Sequence, residues 1–107
     1  MITITPDIIQ EMVDRIVREF DPVKVILFGS QARGEGNRDS DVDLLVVLDD
    51  APDKFEASVA VGVSLAGMGV PKDIVVTTPE EIARRGHIVG TVIFWALRDG
   101  RVMYERP

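Results

Sequence analysis

Hydrophobic and polar residues alternate along this chain with two different periods, and the first period is that of a helix. Between residues 8 and 20 the apolar positions recur every three or four residues and so form one stripe. Before this stripe stand Thr5, Pro6 and Asp7, which supply a capping hydroxyl, a proline for the first turn and an acid near the helix N-terminus. The pattern therefore predicts a first helix that ends at Asp21-Pro22, because the residue before a proline is disfavoured in a helix.

Short apolar runs rich in β-branched residues predict the strands. The first two extend from Val23 to Phe28 and from Val42 to Leu48. After Asp43 the second run is apolar on both faces, which indicates a central strand. A third strand is predicted from Asp73 to Thr77, and a short last strand from Arg101 to Tyr104.

The segment from Phe55 to Met68 combines conflicting signals. Its length favours a helix, whereas Val59, Val61 and Val63 are poor helix formers. The segment is also apolar nearly all round, which leaves two interpretations open. One is ordinary core burial, and the other is a face covered by a partner protein or by a second copy of the chain.

The second half of the chain contains two more helix signals. Thr78-Pro79-Glu80-Glu81 presents a cap, a proline and two acids in the order typical of a helix start, and Gly86 interrupts the helix. The residues from Ile88 to Arg98 then predict a helix again. The resulting order is α-β-β-α-β-α-β. We therefore expect an α/β (α+β) fold in which helices pack on a mixed sheet of about four strands, in one domain spanning residues 1–107.

Composition narrows the classes of function. The net charge of −6 disfavours a protein that grasps extended nucleic acid, but it does not exclude the binding of one nucleotide with a metal ion. No apolar run approaches the roughly 20 residues that cross a membrane, and the N-terminus lacks the features of a secretory signal. The chain has no cysteine, which excludes disulfides and thiolate zinc sites. We expect a cytoplasmic protein without a membrane partner.

The turn after the first predicted strand has the chemistry of a phosphate site. Gly29 carries no side chain, so a phosphate could approach its backbone closely, and the Ser30 hydroxyl could donate to a phosphate oxygen. Arg33, about one helical turn further on, could supply a planar cationic group. The alternative is a tight strand-to-helix turn with a capping serine. The Walker-type and dinucleotide-binding glycine patterns are both absent from this segment.

Two aspartates stand at the start of the second predicted strand. Asp41 and Asp43 are separated by one residue, so on a strand they point to the same face and repel each other. A divalent cation would remove that repulsion. Magnesium fits better than calcium, because Leu44 occupies the position where a calcium-binding EF-hand loop requires glycine. The alternative is a strand-end cap at Asp41 and a solvent-facing residue at Asp43.

Asp73 is the third candidate ligand, because it opens its own strand much as Asp43 does. If the two strands are neighbours, Asp41 and Asp43 could bridge two metal ions, with Asp73 on the ion nearest an attacking hydroxyl. Asp73 could also accept the proton of that hydroxyl. The alternative for Asp73 is a surface residue at a strand end.

These motifs together resemble those of a known family. The run from Phe28 to Gly34, followed by Ser40-Asp41-Val42-Asp43-Leu44, is similar to the active-site motif of the minimal nucleotidyltransferase (MNT) branch of the DNA polymerase β-like nucleotidyltransferase superfamily. The stretch from Lys72 to Val76 resembles the strand that carries the third carboxylate in that family, and Asp99 to Glu105 resembles its last strand more loosely.

The resemblance implies a magnesium-dependent enzyme with the polymerase β-like fold. Such an enzyme moves a nucleoside monophosphate, here expected to be AMP from ATP, to an acceptor. The resemblance assigns the triphosphate to Gly29 and Ser30, with Arg33 as a further nucleotide-binding residue. It assigns the catalytic metal ions to one set of carboxylates, namely Asp41, Asp43 and Asp73.

The resemblance also implies a biological setting. MNT proteins often pair with a helical HEPN protein as antitoxin and toxin, and some of them transfer AMP to a tyrosine of that partner. Two hypotheses follow for this chain. It is either an enzyme that modifies a partner, or a non-catalytic antitoxin that masks a partner by binding it.

Overall fold

The computed structural model describes residues 4–34 and 41–107, and Ser40 of the sequence motif lies outside the described residues. Nine helices and strands are found in these two ranges: α1 (Pro6–Phe20), β1 (Lys24–Phe28), α2 (Gly29–Arg33), β2 (Val42–Val47), α3 (Lys54–Ser64), β3 (Lys72–Thr77), α4 (Pro79–Arg85), α5 (Val92–Asp99) and β4 (Arg101–Glu105).

The strands form one mixed sheet in the order β3-β2-β1-β4. β1 pairs antiparallel with both β2 and β4, whereas β2 and β3 run parallel. The prediction of a mixed sheet with β2 inside it is therefore confirmed. β2 is apolar on both faces because helices cover both sides of the sheet at this strand.

Helices begin where the sequence supplies side-chain caps. Thr5 Oγ1 accepts a hydrogen bond from Ile8 N at 3.3 Å, and Thr78 Oγ1 accepts one from Glu81 N at 3.1 Å. Asp21 follows α1 in the left-handed conformation, with φ of 45°. The starts of α1 and α4 were predictable because each signal lies within a few residues of the cap.

The core has two parts, one on each face of the sheet. The larger part lies between the sheet and helices α1 and α3, and its fully buried members are Ile9, Met12, Val13, Ile16, Val25, Leu27, Val42, Leu44, Val46, Val61, Leu65, Val70 and Val76. The smaller part lies on the opposite face under α5 and consists of Ile26, Leu45 and Ala96. Successive strand residues therefore alternate between the two parts, as the pleat requires.

The predicted helix from Ile88 to Arg98 begins later than expected, at Val92. Gly90 adopts a φ of +94°, which a helix does not accommodate. Thr91 Oγ1 then accepts a hydrogen bond from Phe94 N at 3.1 Å and caps α5. The predicted element order also lacked the short helix α2 and counted α4 and α5 as one helix.

The segment from Phe55 to Met68 contains a helix, α3, which is capped by Asp53 and ends at Ser64. Val61 on this helix and Leu65 after it are buried in the core. Phe55, Val59 and Val63 are 78%, 49% and 67% exposed. Core burial thus accounts for one face of the segment and leaves an apolar stripe uncovered on the other.

Arg106, which follows β4, forms hydrogen bonds to the loop before β1 and to the loop after β2. Its Nη1 and Nη2 donate to the two carboxylate oxygens of Asp49 at 3.1 and 3.0 Å, and Nη2 also donates to the Asp21 carbonyl. The guanidinium group holds the pKa of Asp49 below its usual value through these hydrogen bonds. None of the helices in the described ranges is both long enough and apolar enough to cross a membrane.

Candidate functional site

The pairing of β2 with β3 brings two of the three candidate carboxylates together. Asp43 on β2 lies opposite Asp73 on β3 in the parallel register. Register partners of a parallel pair project from the same face of the sheet, so both carboxylates lie on the face opposite to α1 and α3. Asp41 precedes β2 by one residue and is exposed. The strands are thus neighbours, as convergence of the carboxylates requires.

The pKa of Asp43 is raised by its surroundings. Burial raises the pKa of its carboxyl group, and the negative charges of Asp73 and then Asp41 raise it further. All three carboxylates are therefore close enough to affect one ionisation equilibrium. The ionised form of Asp43 is disfavoured in the protein alone and would be favoured by a bound cation.

Gly29 packs directly against Asp43. Phe28, the last residue of β1, pairs with Asp43 in the antiparallel register, so the chain turns out of β1 beside this carboxylate. A Cβ atom placed on Gly29 would overlap Oδ2 of Asp43, and it would lie 3.2 Å from Cγ and 3.5 Å from Cβ of that residue. Gly29 also has a φ of +75°, which disfavours residues with a side chain. Position 29 therefore requires glycine for two reasons.

The helix α2 carries the other candidate nucleotide-binding residues. Ser30 is half-buried in its first turn, and Arg33 is exposed in its last turn. Phe28 precedes the helix and supplies no side-chain cap to its first N–H groups. Gly34 ends α2 in the left-handed conformation, with φ of 73°. Because α2 packs on β1, β2 and α5, its first turn is held beside Asp43.

The donor set at this place suits a hard divalent cation. Asp41, Asp43 and Asp73 offer only oxygen atoms as ligands; Asp43 and Asp73 are register partners on neighbouring strands, and Asp41 lies two residues before Asp43. Within residues 4–34 and 41–107, no group of three or more Asp, Glu, His or Cys side chains is arranged so that it could bind a metal ion. Coordination of one ion by all three carboxylates would therefore require their side chains to turn toward it.

Sequence reasoning missed a buried charge at the far end of the parallel strands. Glu81 on α4 accepts hydrogen bonds from Thr77 Oγ1 at 2.6 Å and from Lys54 Nζ at 2.7 Å. Burial by itself would raise the pKa of Glu81, but these hydrogen bonds and the charges of Lys54 and Arg85 lower it overall. From the sequence, Glu81 was interpreted only as an acid in a first helical turn. Its partners are brought to it by the tertiary fold.

Comparison with protein families places most of the chain in one family. Residues 9–96 match the family described as "Nucleotidyltransferase domain". No curated protein is a significant match to the sequence.

Solved structures show the same fold. A crystal structure of a provisionally assigned nucleotidyltransferase from Sulfolobus solfataricus matches with a TM-score of 0.65 and 23% identity, and the match covers 94% of this chain and 79% of that one. A toxin–antitoxin structure with AMP-PNP matches with a TM-score of 0.57 and 19% identity, over 91% of this chain and 73% of that one. A variant of the toxin–antitoxin MntA–HpeT that carries two Asp-to-Glu substitutions matches with a TM-score of 0.55 and 16% identity, over the same shares.

The family match covers the strands and the turn that bring Gly29, Asp43 and Asp73 together. The arrangement of the sheet agrees with the fold of these solved structures. The chain belongs to the nucleotidyltransferase domain family and is a nucleotidyltransferase.

Proposed function

We propose that this protein is a magnesium-dependent enzyme that transfers AMP from ATP to an acceptor. The observation that carries the proposal is the position of the Asp43 carboxylate, which lies between Asp73 on the neighbouring strand and Gly29 at the start of α2. Three carboxylates beside a glycine turn provide ligands for a divalent cation and an open backbone for a triphosphate.

Each residue has a role in this proposal. Asp41, Asp43 and Asp73 would hold the magnesium ions, which when bound neutralise charge on the triphosphate and on the attacking and leaving oxygens. Gly29 lets the triphosphate approach the backbone of α2, where the Ser30 hydroxyl donates to a phosphate oxygen. Arg33 adds positive charge at the outer end of the same helix.

The transfer step follows from these positions. An acceptor hydroxyl oxygen forms a bond to the α-phosphorus of ATP, while the bond from that phosphorus to the bridging oxygen breaks and pyrophosphate leaves. Asp73 takes the proton of the acceptor hydroxyl as an exposed carboxylate opposite Asp43 on the neighbouring strand.

The acceptor in this proposal is a HEPN-type partner protein, which the chain would modify as its antitoxin. The toxin–antitoxin structure with AMP-PNP supports an adenine nucleotide. The MntA–HpeT variant supports a pair of aspartates as the site, because its two substituted aspartates are two positions apart, as are Asp41 and Asp43.

Transfer of label from α-labelled ATP to a candidate HEPN-type protein, with magnesium present, tests the proposal. Asp41→Ala and Asp43→Ala should lower the rate roughly a hundredfold or more, because loss of a metal ligand removes several kcal/mol of transition-state stabilisation. Asp50→Ala is the matched control, since Asp50 is an exposed aspartate that follows the other end of β2. Equal labelling by the parent and the Asp43 variant would overturn the catalytic role.

A masking function is the second candidate, and exposed apolar side chains favour it. Ile88, Val89, Val92 and Trp95 are all exposed in and before α5, where they could bind a partner. If masking alone neutralises the partner, Asp43→Ala should neutralise it as well as the parent does. Loss of neutralisation by a folded Asp43→Ala complex would contradict masking.

A further inference from the structure

The outer face of α3 is an apolar surface that the described part of the chain leaves uncovered. Phe55, Val59 and Val63 follow one another every fourth residue and form one stripe along the helix. Beside the stripe runs a groove of about 440 Å³ between α3 and β3, which is lined further by Ser58, Gly62, Ala66, Lys72 and Ile74. β3 is an edge strand of the sheet that the described residues form. Helix face and sheet edge are thus open side by side.

Gly62 lies in this groove and is not explained by the fold of one chain. A glycine inside a helix lowers stability relative to alanine. A Cβ atom on Gly62 would meet nothing within 4 Å, and its φ is not positive. The described structure therefore gives no steric or conformational reason for glycine here. Glycine would be favoured at this position if a side chain of another molecule packed against it.

Charges of opposite sign lie at the two ends of α3, and of these Lys72 lines the groove whereas the acidic residues lie outside it. Asp53 and Glu56 lie at the start of α3, whereas Lys72 opens β3 and lines the groove beside Ala66. Lys54, the remaining charge at the start of α3, is tied to Glu81 by an ion pair of 2.7 Å. A copy of the same surface placed antiparallel would set each acidic end against the Lys72 end of the other copy. A parallel copy would set acids against acids.

We propose that this face binds a second copy of the chain, with the two α3 helices antiparallel about a two-fold axis. Val59 and Val63 of each copy then cover the open position at Gly62 of the other, and the Glu56 end of each helix faces Lys72 of the other. Lys72 and Ile74 lie on the α3 side of β3, whereas Asp73 projects from the opposite face. Dimerisation therefore leaves the candidate active site uncovered.

Sedimentation velocity on the full chain over a range of concentrations tests this proposal. The parent should be a dimer, and Val63→Glu should be a monomer because the new charge would be buried without a partner. Val102→Glu is the control, since Val102 is also an exposed valine, at 50%, but lies on β4, at the opposite edge from β3 of the sheet that the described residues form. It should remain a dimer. A parent that is monomeric at every concentration would overturn the proposal, as would equal dissociation by both variants.

A charge swap identifies the partner as a second copy in the antiparallel arrangement. Lys72→Glu should raise the dimer dissociation constant roughly tenfold or more, since it sets like charges against each other. Adding Glu56→Lys to the same chain should restore the dimer, and circular dichroism should show both variants folded. The chain has no cysteine, so Val59→Cys should also be joined to a second copy by a short bismaleimide. Failure of the swap to restore association, or failure of crosslinking, would contradict the two-fold packing.

Discussion

At the scale of single residues, the candidate site depends on a contact between a glycine and an aspartate that are far apart in the sequence. The sequence identified Gly29 and Asp43 separately, from the turn after one strand and the acid in the next. It could not predict that the two would touch, because the contact results from the pairing of Phe28 with Asp43 across two strands. The raised pKa of Asp43 could not be predicted from the sequence either, because it results first from burial and then from the charge of Asp73 on a third strand.

Gly29→Ala tests this contact against a matched glycine. Gly29 and Gly34 have almost the same φ, +75° and +73°, so alanine is strained at both positions. At position 29 the new Cβ atom meets Asp43, whereas at position 34 nothing in residues 4–34 and 41–107 lies within 4 Å beyond the chain neighbours. We expect Gly29→Ala to lower the free energy of unfolding by about 1–3 kcal/mol more than Gly34→Ala does. Urea denaturation measures both values, and equal losses would show that Gly29 does not press on Asp43.

At the scale of helices and strands, local sequence signals predicted most elements, but they did not predict contacts between residues that are distant in the sequence. The starts of α1 and α4 followed from Thr5 and Thr78 because a capping oxygen and the backbone N–H that donates to it lie within one turn. The start of α5 was predicted too early. Gly90 has a positive φ and Thr91 is the N-cap, so the helix begins only at Val92 although the apolar run starts before it. The network of Glu81 with Lys54 and Thr77, which ties α3, β3 and α4 together, had no sequence signal.

Glu81→Gln should show how this network depends on pH. The pKa of Glu81 is lower in the folded protein than its ordinary value of 4.5, so ionised Glu81 stabilises the fold above that value. The stabilisation is lost as the pH falls through the lowered pKa. Glu81→Gln should therefore lower the free energy of unfolding by about 1 kcal/mol at neutral pH and by progressively less in acid. Glu80→Gln is the control, because Glu80 is exposed and 3.9 Å from Arg84. Equal pH profiles for the two variants would contradict a role for the network.

At the scale of the whole molecule, the two ends of the parallel strands β2 and β3 differ in their charges. One end carries Asp43 and Asp73, with like charges close together and a glycine turn beside them. At the other end opposite charges are paired, through Glu81 with Lys54 and through Arg106 with Asp49. Paired charges lie at that end of the sheet, whereas the carboxylates around Asp43 suit the binding of a cation.

Isothermal titration of ATP into the parent protein, with magnesium and then with EDTA, tests the central claim most directly. We expect binding that requires magnesium, that weakens at least tenfold in Asp43→Ala, and that is unchanged in Asp50→Ala, because only Asp43 lies beside Gly29 and Asp73. ATP binding of equal strength in EDTA, or in Asp43→Ala with magnesium present, would show that these carboxylates do not form the nucleotide site.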